Sequence, residues 1–400
     1  MIGLMIIFWT ALAVVFYAYL GYGMLLYALV RIKRRFSPPS NPTFEESELP
    51  TVALLVAAYN EIDFIDQKIQ NSLALDYPSN KLQFWLVTDG SDDGTPQRVT
   101  NYPSVILEHQ DLRAGKLAAV HRVVPLIEAE IIVFSDANTL LNAQAIRRLV
   151  QAYADPRVGA VAGEKRVHMA ETDSASAAGE GLYWRYESTL KRWDGEWNSV
   201  VGAAGELFSG RKTAFIEIPS DSLIEDFYLT MSIAKHGSKV AYEPEAYAVE
   251  TASSTVQEET KRKIRISAGA FQAMWRLRSL LNPFNDGKLT FQYVSHRVLR
   301  WTLAPLSLLA LLIVAPCLAW TYAGFYAWAA LLQLAFYLLA GMGFWLEKKQ
   351  MRMKVFFVPY YFVMMNVCIF LGLRRYLKGQ QQVTWEKAKR KSYPIGQSRA

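Results

Sequence analysis

Leu86-Val87-Thr88-Asp89-Gly90-Ser91-Asp92-Asp93-Gly94-Thr95 is the stretch on which the fold turns: an apolar run that ends in a loop dense with carboxylates and glycines. Two neighbours share its form. Val52 to Ala58 closes with Ala58-Tyr59-Asn60-Glu61, and Ile131-Ile132-Val133-Phe134-Ser135 delivers Asp136-Ala137-Asn138. Amphipathic stretches, Ile62 to Leu75 and Ala114 to Ile127, separate the runs. Strands alternating with helices predict an α/β domain with a mostly parallel sheet, and ligands in such sheets bind beyond the carboxyl ends of the strands. Glycine lets backbone approach a ligand closely, and an Asp at a strand end accepts hydrogen bonds from a base or ribose. The plain alternative for the Asp89 loop is a calcium-like acidic loop or surface turn, but no bidentate Glu follows at EF-hand spacing. For Ala58 to Glu61 it is a turn with Asn60 as helix cap.

Charge building on a diphosphate leaving group calls for a cation with hard oxygen ligands, so Asp136 reads as a ligand for Mg2+ or Mn2+, with Asn138 completing the site directly or through water. Leu223-Ile224-Glu225-Asp226-Phe227 places two acids ahead of a helix-like stretch, Tyr228 to Ala234. A sugar hydroxyl is a poor nucleophile at neutral pH, and Asp226 is the carboxylate chosen to take its proton, a helix cap being the bland reading. Lys165 and Arg166 read as a solvated pair rather than phosphate ligands. His121, His168 and His236 stand alone and receive no role.

The chain has 400 residues, of which 52% are hydrophobic and 13% aromatic, so membrane segments are expected. Ile2 to Val30 carries no charge and ends at Arg31, Lys33, Arg34 and Arg35, which reads as a retained anchor rather than a cleaved signal. Trp301 to Leu346 suits a hairpin turning near Thr321 to Gly324, and Val355 to Leu373 is a further candidate. The basic clusters Arg31 to Arg35 and Lys348 to Lys354 put the catalytic region on the cytoplasmic side of a plasma (inner) membrane, in a multi-pass protein. A full crossing by the last segment exports a basic tail; the alternative is a re-entrant segment, weakened at Pro359 and Asn366. The net charge of +7 sits beside these segments and points to membrane lipids, not nucleic acid. Cys317 and Cys368 lie in apolar segments and form no framework. Aromatic residues Tyr183, Trp184, Tyr186 and Trp193 on a helix expected from Ala175 to Leu190 read as a core or interface face.

In order, these features resemble the processive and lipid-linked members of glycosyltransferase family 2, which include cellulose, chitin and hyaluronan synthases. The resemblance covers Val52 to Pro283. It implies a GT-A fold (Rossmann-like), a UDP-sugar donor, a divalent cation and inversion at the anomeric carbon. Tyr59-Asn60-Glu61, with Ala58 before it, is similar to the opening strand motif, Asp89 to the uridine-contacting Asp, and Gly115-Lys116 to the Gly-Lys approaching the nucleotide. Asp136 resembles the first Asp of the metal-binding DxD, whose second Asp is replaced by Asn138. Glu225-Asp226 matches the paired acid that contains the base. Gly205-Glu206 falls where the family has a loop lining the acceptor site. Arg262-Lys263-Ile264-Arg265-Ile266 is matched to the family's Gln-x-x-Arg-Trp, with Arg265 toward the diphosphate and Arg262 and Ile266 toward the acceptor. Gln272 to Arg276 is the rival placement. Ile266 replaces a Trp on which an acceptor sugar would stack, which weakens a polymerase reading.

The expected organisation is an anchor at 1–36, a linker at 37–50, the GT-A domain at 51–257, amphipathic interface helices at 258–299, a membrane region of about three segments at 300–375 and a basic tail at 376–400. The expected activity is inverting transfer of a sugar, as a hexosyl- or N-acetylhexosaminyltransferase, from a UDP-sugar to a lipid-linked or carbohydrate acceptor. The competing readings are a processive polysaccharide synthase coupled to translocation, a sugar nucleotidyltransferase, and a membrane transporter with a nucleotide-binding domain. The last is disfavoured because Leu303 to Leu346 carries no ionisable residue.

Overall fold

The computed structural model describes residues 1–37, 42–168, 176–251, 255–349, 351 and 353–380; the basic tail expected from 376 onward falls almost entirely outside them. The chain divides into two compact units, one built on Ser37–Met169 and Asp194–Glu258, the other on Met1–Phe36, Ala170–Trp193 and Glu259–Gln381.

The first unit carries eight strands: β1 (Val52–Ala58), β2 (Leu82–Asp89), β3 (Val105–Gln110), β4 (Ile131–Asp136), β5 (Thr139–Leu141), β6 (Val158–His168), β7 (Leu207–Arg211) and β8 (Lys239–Thr251). They form one sheet in the order β3-β2-β1-β4-β7-β6-β8-β5. β3, β2, β1 and β4 run parallel in a register that pairs Ala57 with both Val87 and Asp136. Their carboxyl ends therefore finish level, and Tyr59, Asp89 and Asp136 emerge along one edge.

Beyond β4 the sheet is more mixed than the sequence suggests: β7 is antiparallel to both β4 and β6, and β5 to β8, while β6 and β8 are parallel. A parallel step needs a crossover connection, and the regular strand-then-helix alternation stops after β4. The core on one side is aliphatic: Leu54, Val56, Leu86 and Val133 of the central strands pack against Ile65 and Ile69 of the helix Ile65–Leu73. The expected helix at Tyr228 to Ala234 starts earlier, at Glu225, so both acids lie in its first turn. Anionic side chains there are favoured by the exposed N–H groups of the helix end.

In the second unit four helices are long and apolar enough to cross a membrane: Ile2–Phe36, Leu303–Thr321, Phe325–Lys348 and Val355–Leu377. The expected hairpin turns at Tyr322 to Gly324. The last helix runs unbroken through Pro359 and Asn366, whose amide accepts from Tyr19 Oη at 2.9 Å. The first contains a π-turn at Tyr17–Gly21, and a second π-turn, Val294–Val298, precedes the third-last span. Tyr17 Oη meets Ser295 Oγ at 2.9 Å, Tyr186 Oη donates to the Tyr19 carbonyl at 2.6 Å, and Arg300 Nε donates to the Ala18 carbonyl at 3.0 Å. Glu187 lies beside them, buried, with Arg297 at 2.5 Å and Arg300 at 3.3 Å. Although burial opposes ionisation, Arg297 and His296 hold its carboxyl well below the usual range. Trp193 of the aromatic helix, which runs Ser176–Trp197, packs on Tyr27. The Tyr183 side chain lies outside the described residues.

Candidate active site

The three parallel strand ends open into a cleft lined among others by Tyr59, Glu61, Asp89, Lys116, Asp136 and Asn138. The two loops at its rim are knitted together by their own acids. Asn60, at φ 53°, exchanges hydrogen bonds with Asp92, and the main-chain N–H of Ile62 donates to Asp93, whose other oxygen accepts from Thr95. Asp92 and Asp93 are thus engaged in shaping the rim.

Asp89 is nearly fully buried, and its Oδ2 accepts from the main-chain N–H groups of Ala114 (2.9 Å) and Gly115 (2.6 Å). Its Oδ1 has no hydrogen-bond partner, with Arg122 Nη1 at 3.9 Å. A buried carboxylate oxygen without a donor is costly, and Asp89 lines the cleft. Gly90 sits at φ +68°, and a Cβ on it would fall 2.5 Å from Cβ of Arg113. The close approach this allows places the Arg113 guanidinium 3.8 Å from the centre of the Tyr59 ring. Arg113 was not singled out from the sequence; its place just ahead of Gly115-Lys116 is the only cue.

Lys116 opens the helix Lys116–Val123 and brings the acids together. Its ammonium is 2.7 Å from Asp136 Oδ1 and 3.1 Å from Glu225 Oε1. Burial disfavours the charge, but Asp136 and then Glu225 outweigh it and keep Lys116 protonated. Asp226, one residue on, is pushed up to about 7, chiefly by burial and next by the Glu225 charge. Gly205 lies against it: a Cβ there would be 3.3 Å from Asp226 Oδ2. Gly202, at φ +86°, admits the Phe227 ring where a Cβ would be 2.1 Å away.

Two lysines of this unit are buried, Lys68 and Lys165. Lys68 Nζ donates to Ser135 Oγ (2.7 Å) and to the Thr139 carbonyl (2.9 Å), and burial lowers it to about 7. Lys165, read from the sequence as solvated, is instead fully buried, 2.6 Å from Glu206 and also paired with Glu250. Strand alternation explains this: β6 turns Lys165 inward and Arg166 outward, over Tyr247. Glu206, expected at the acceptor, has its carboxylate committed to Lys165. Arg262, Arg265 and Ile266 lie on the helix Val256–Arg276 in the second unit, half-buried, and Trp275 on that helix is exposed.

Among the described residues no three His, Cys, Asp or Glu are grouped so as to hold a metal ion by themselves. Asp136 and Asn138 offer hard oxygens from one short turn, a donor set that fits a cation carried in with a diphosphate better than a resident one. Mg2+-like ions are commonly bound in that way, by one or two carboxylates together with substrate phosphates.

Comparison with known proteins places this arrangement. Residues 50–269 match the family described as glycosyltransferase like family 2. Poly-beta-1,6-N-acetyl-D-glucosamine synthase of Staphylococcus aureus is 25% identical over 253 residues, 60% of each chain, so the chain spans about 60% of that relative's length. Beta-monoglucosyldiacylglycerol synthase of Trichormus variabilis is 27% identical over 172 residues, 40% of this chain and 35% of that one. In three dimensions the chain is similar to a mannosyltransferase from Pyrobaculum calidifontis solved with GDP-mannose and Mn2+, with a TM-score of 0.69 at 22% identity, covering 94% of this chain and 100% of the other. Sheet, strand-end loops and family match agree: this is a GT-A fold, and the chain is a glycosyltransferase belonging to family 2.

Proposed function

We propose that the chain transfers sugar, with inversion, from a UDP-sugar to a lipid-linked or glycan acceptor at the cytoplasmic face of the membrane. The observation that carries this is the junction made by Lys116, which joins the Asp136 turn to the Glu225-Asp226 pair and sets a proton acceptor beside a phosphate-binding end. Asp226 takes the proton of the acceptor hydroxyl as the bond to the anomeric carbon forms. Its carboxyl, at about 7, is suited to that transfer near neutral pH. The open Oδ1 of Asp89 accepts from the base, and Lys116 approaches the diphosphate. Asp136 and Asn138 would hold Mg2+ or Mn2+, which when bound neutralises charge on the leaving diphosphate.

The test is release of nucleoside diphosphate by the full chain in detergent, with native lipid extract and a panel of UDP- and GDP-sugars. Cation-dependent UDP release that is lost in Asp226→Asn supports the reading; full turnover by that variant refutes the base. GDP release instead of UDP would reassign the donor, a possibility that the solved mannosyltransferase keeps open. A second reading, processive polysaccharide synthesis, is favoured by the likeness to the Staphylococcus aureus synthase. A ladder of long products would establish it.

A further inference from the structure

The buried lysine behind the donor turn has no place in the scheme above. Lys68 projects from the helix Ile65–Leu73 and is wholly shielded from solvent, so it touches no substrate. It donates to Ser135 Oγ at 2.7 Å and to the Thr139 carbonyl at 2.9 Å, the two residues that bracket Asp136-Ala137-Asn138. The bracket is closed from within: Ser135 Oγ meets Thr139 Oγ1 at 3.1 Å, and Thr139 Oγ1 donates to the Asp136 carbonyl at 2.9 Å. Ser135 Oγ also reaches the Glu206 carbonyl at 3.2 Å, next to β7. One helical turn beyond Lys68, the Asn71 side-chain amide holds the Leu141 main chain, its Nδ2 donating to the carbonyl and its Oδ1 accepting from the N–H, both at 2.8 Å. An ammonium removed from water is expensive to keep, whereas an apolar side chain of similar length would fill the same space. The turn that it holds is the one carrying Asp136 and Asn138.

We propose that Lys68 is a positioning residue for the donor site, its ammonium locking the Ser135–Thr139 turn so that Asp136 and Asn138 meet the cation and diphosphate in one fixed geometry. This rests on the donor-site reading of Asp136 and Asn138. A residue behind a ligand acts by holding that ligand's orientation, and loss of such support commonly costs about 10- to 100-fold in metal affinity.

The experiment measures UDP binding to the full chain in detergent, with and without Mn2+, together with thermal unfolding, in the wild type, Lys68→Met and Asn71→Ala. In Lys68→Met the half-saturating Mn2+ concentration is expected to rise about tenfold, while UDP affinity without Mn2+ stays unchanged. Asn71→Ala, which loosens the next strand, is expected to lower the unfolding temperature and leave the Mn2+ dependence alone. Unchanged Mn2+ dependence in folded Lys68→Met, or an equal shift in Asn71→Ala, overturns the proposal. Should Lys68→Met not fold, Ser135→Ala, which removes one acceptor of the clamp, is expected to shift the Mn2+ dependence in the same direction; no shift there overturns the proposal. If the wild type binds neither UDP nor GDP with Mn2+, the donor reading fails and the proposal with it, whereas Mn2+-dependent wild-type binding with an unaltered Lys68→Met fails the proposal alone.

Discussion

Replacing Glu225 by Gln is expected to move the acid limb of the kcat/KM profile to lower pH. The Asp226 carboxyl stands at about 7 against an ordinary 3.8; burial is the largest cause and the Glu225 charge the second, with the Phe227 N–H and Lys116 pulling the other way. A base works only when ionised, so about half of the free enzyme is competent at pH 7, about a tenth at pH 6 and about a hundredth at pH 5. Losing the neighbouring negative charge favours ionised Asp226. A drop of about one unit would raise relative activity at pH 5 about tenfold. Stability follows the raised folded-state value: the contribution is complete below the unfolded value of 3.8 and is lost as pH rises through about 7. Asp226→Asn, expected to be inactive, should therefore gain stability relative to wild type at pH 8 more than at pH 4, by at most about 4 kcal/mol. Initial rates of UDP release from about pH 4 to about pH 9, with unfolding temperatures at about pH 4 and about pH 8, check both parts. An acid limb below pH 5 in the wild type, or an upward shift in Glu225→Gln, refutes the account of how Asp226 is tuned.

Asn138→Asp supplies a second carboxylate to the turn and should lower half-saturating Mn2+ roughly tenfold in a UDP-binding titration. Gly202→Ala forces a Cβ to 2.1 Å from the Phe227 ring at φ +86°; a loss of about 1 to 3 kcal/mol is expected, read as a lower unfolding temperature. Lys165→Met strands the buried Glu206 and Glu250 carboxylates, costing about 3 to 5 kcal/mol. Adding Glu206→Gln and Glu250→Gln should restore most of that stability, and absence of rescue would show that the lysine does more than neutralise them.

The parallel half of the fold was legible because β1, β2 and β4 are continuous apolar runs, each ending in a polar residue that the level register brings to one edge. The antiparallel half was not: β7 has only five residues, and its partners lie far away in sequence. Asp89, Asp136 and Asp226 stood out because each follows an apolar run or precedes a helix-like stretch. Lys68 and Lys165 did not, since a lysine among polar neighbours in sequence looks solvated, and its burial depends on Ser135 or on Glu206 and Glu250, 41 or more positions away. Strand alternation at Lys165-Arg166 was the one local cue. Asp92 and Asp93 received no role from the sequence, because their part in knitting the rim shows only once Asn60, Ile62 and Thr95 are seen as their partners.

The π-turn in the first span has a consequence for the order in which the protein is made. Its Ala18 carbonyl is met by Arg300, 282 residues later, and its Tyr19 carbonyl by Tyr186, 167 residues later. At about 5 to 20 residues per second of synthesis, Arg300 follows Ala18 by roughly 15 to 55 seconds. A helix already in the bilayer must satisfy its own carbonyls meanwhile, so the first span is expected to wait as an ordinary α-helix. It would take up its wider turn when Tyr186 and Arg300 reach it, making that turn a late mark of completed assembly.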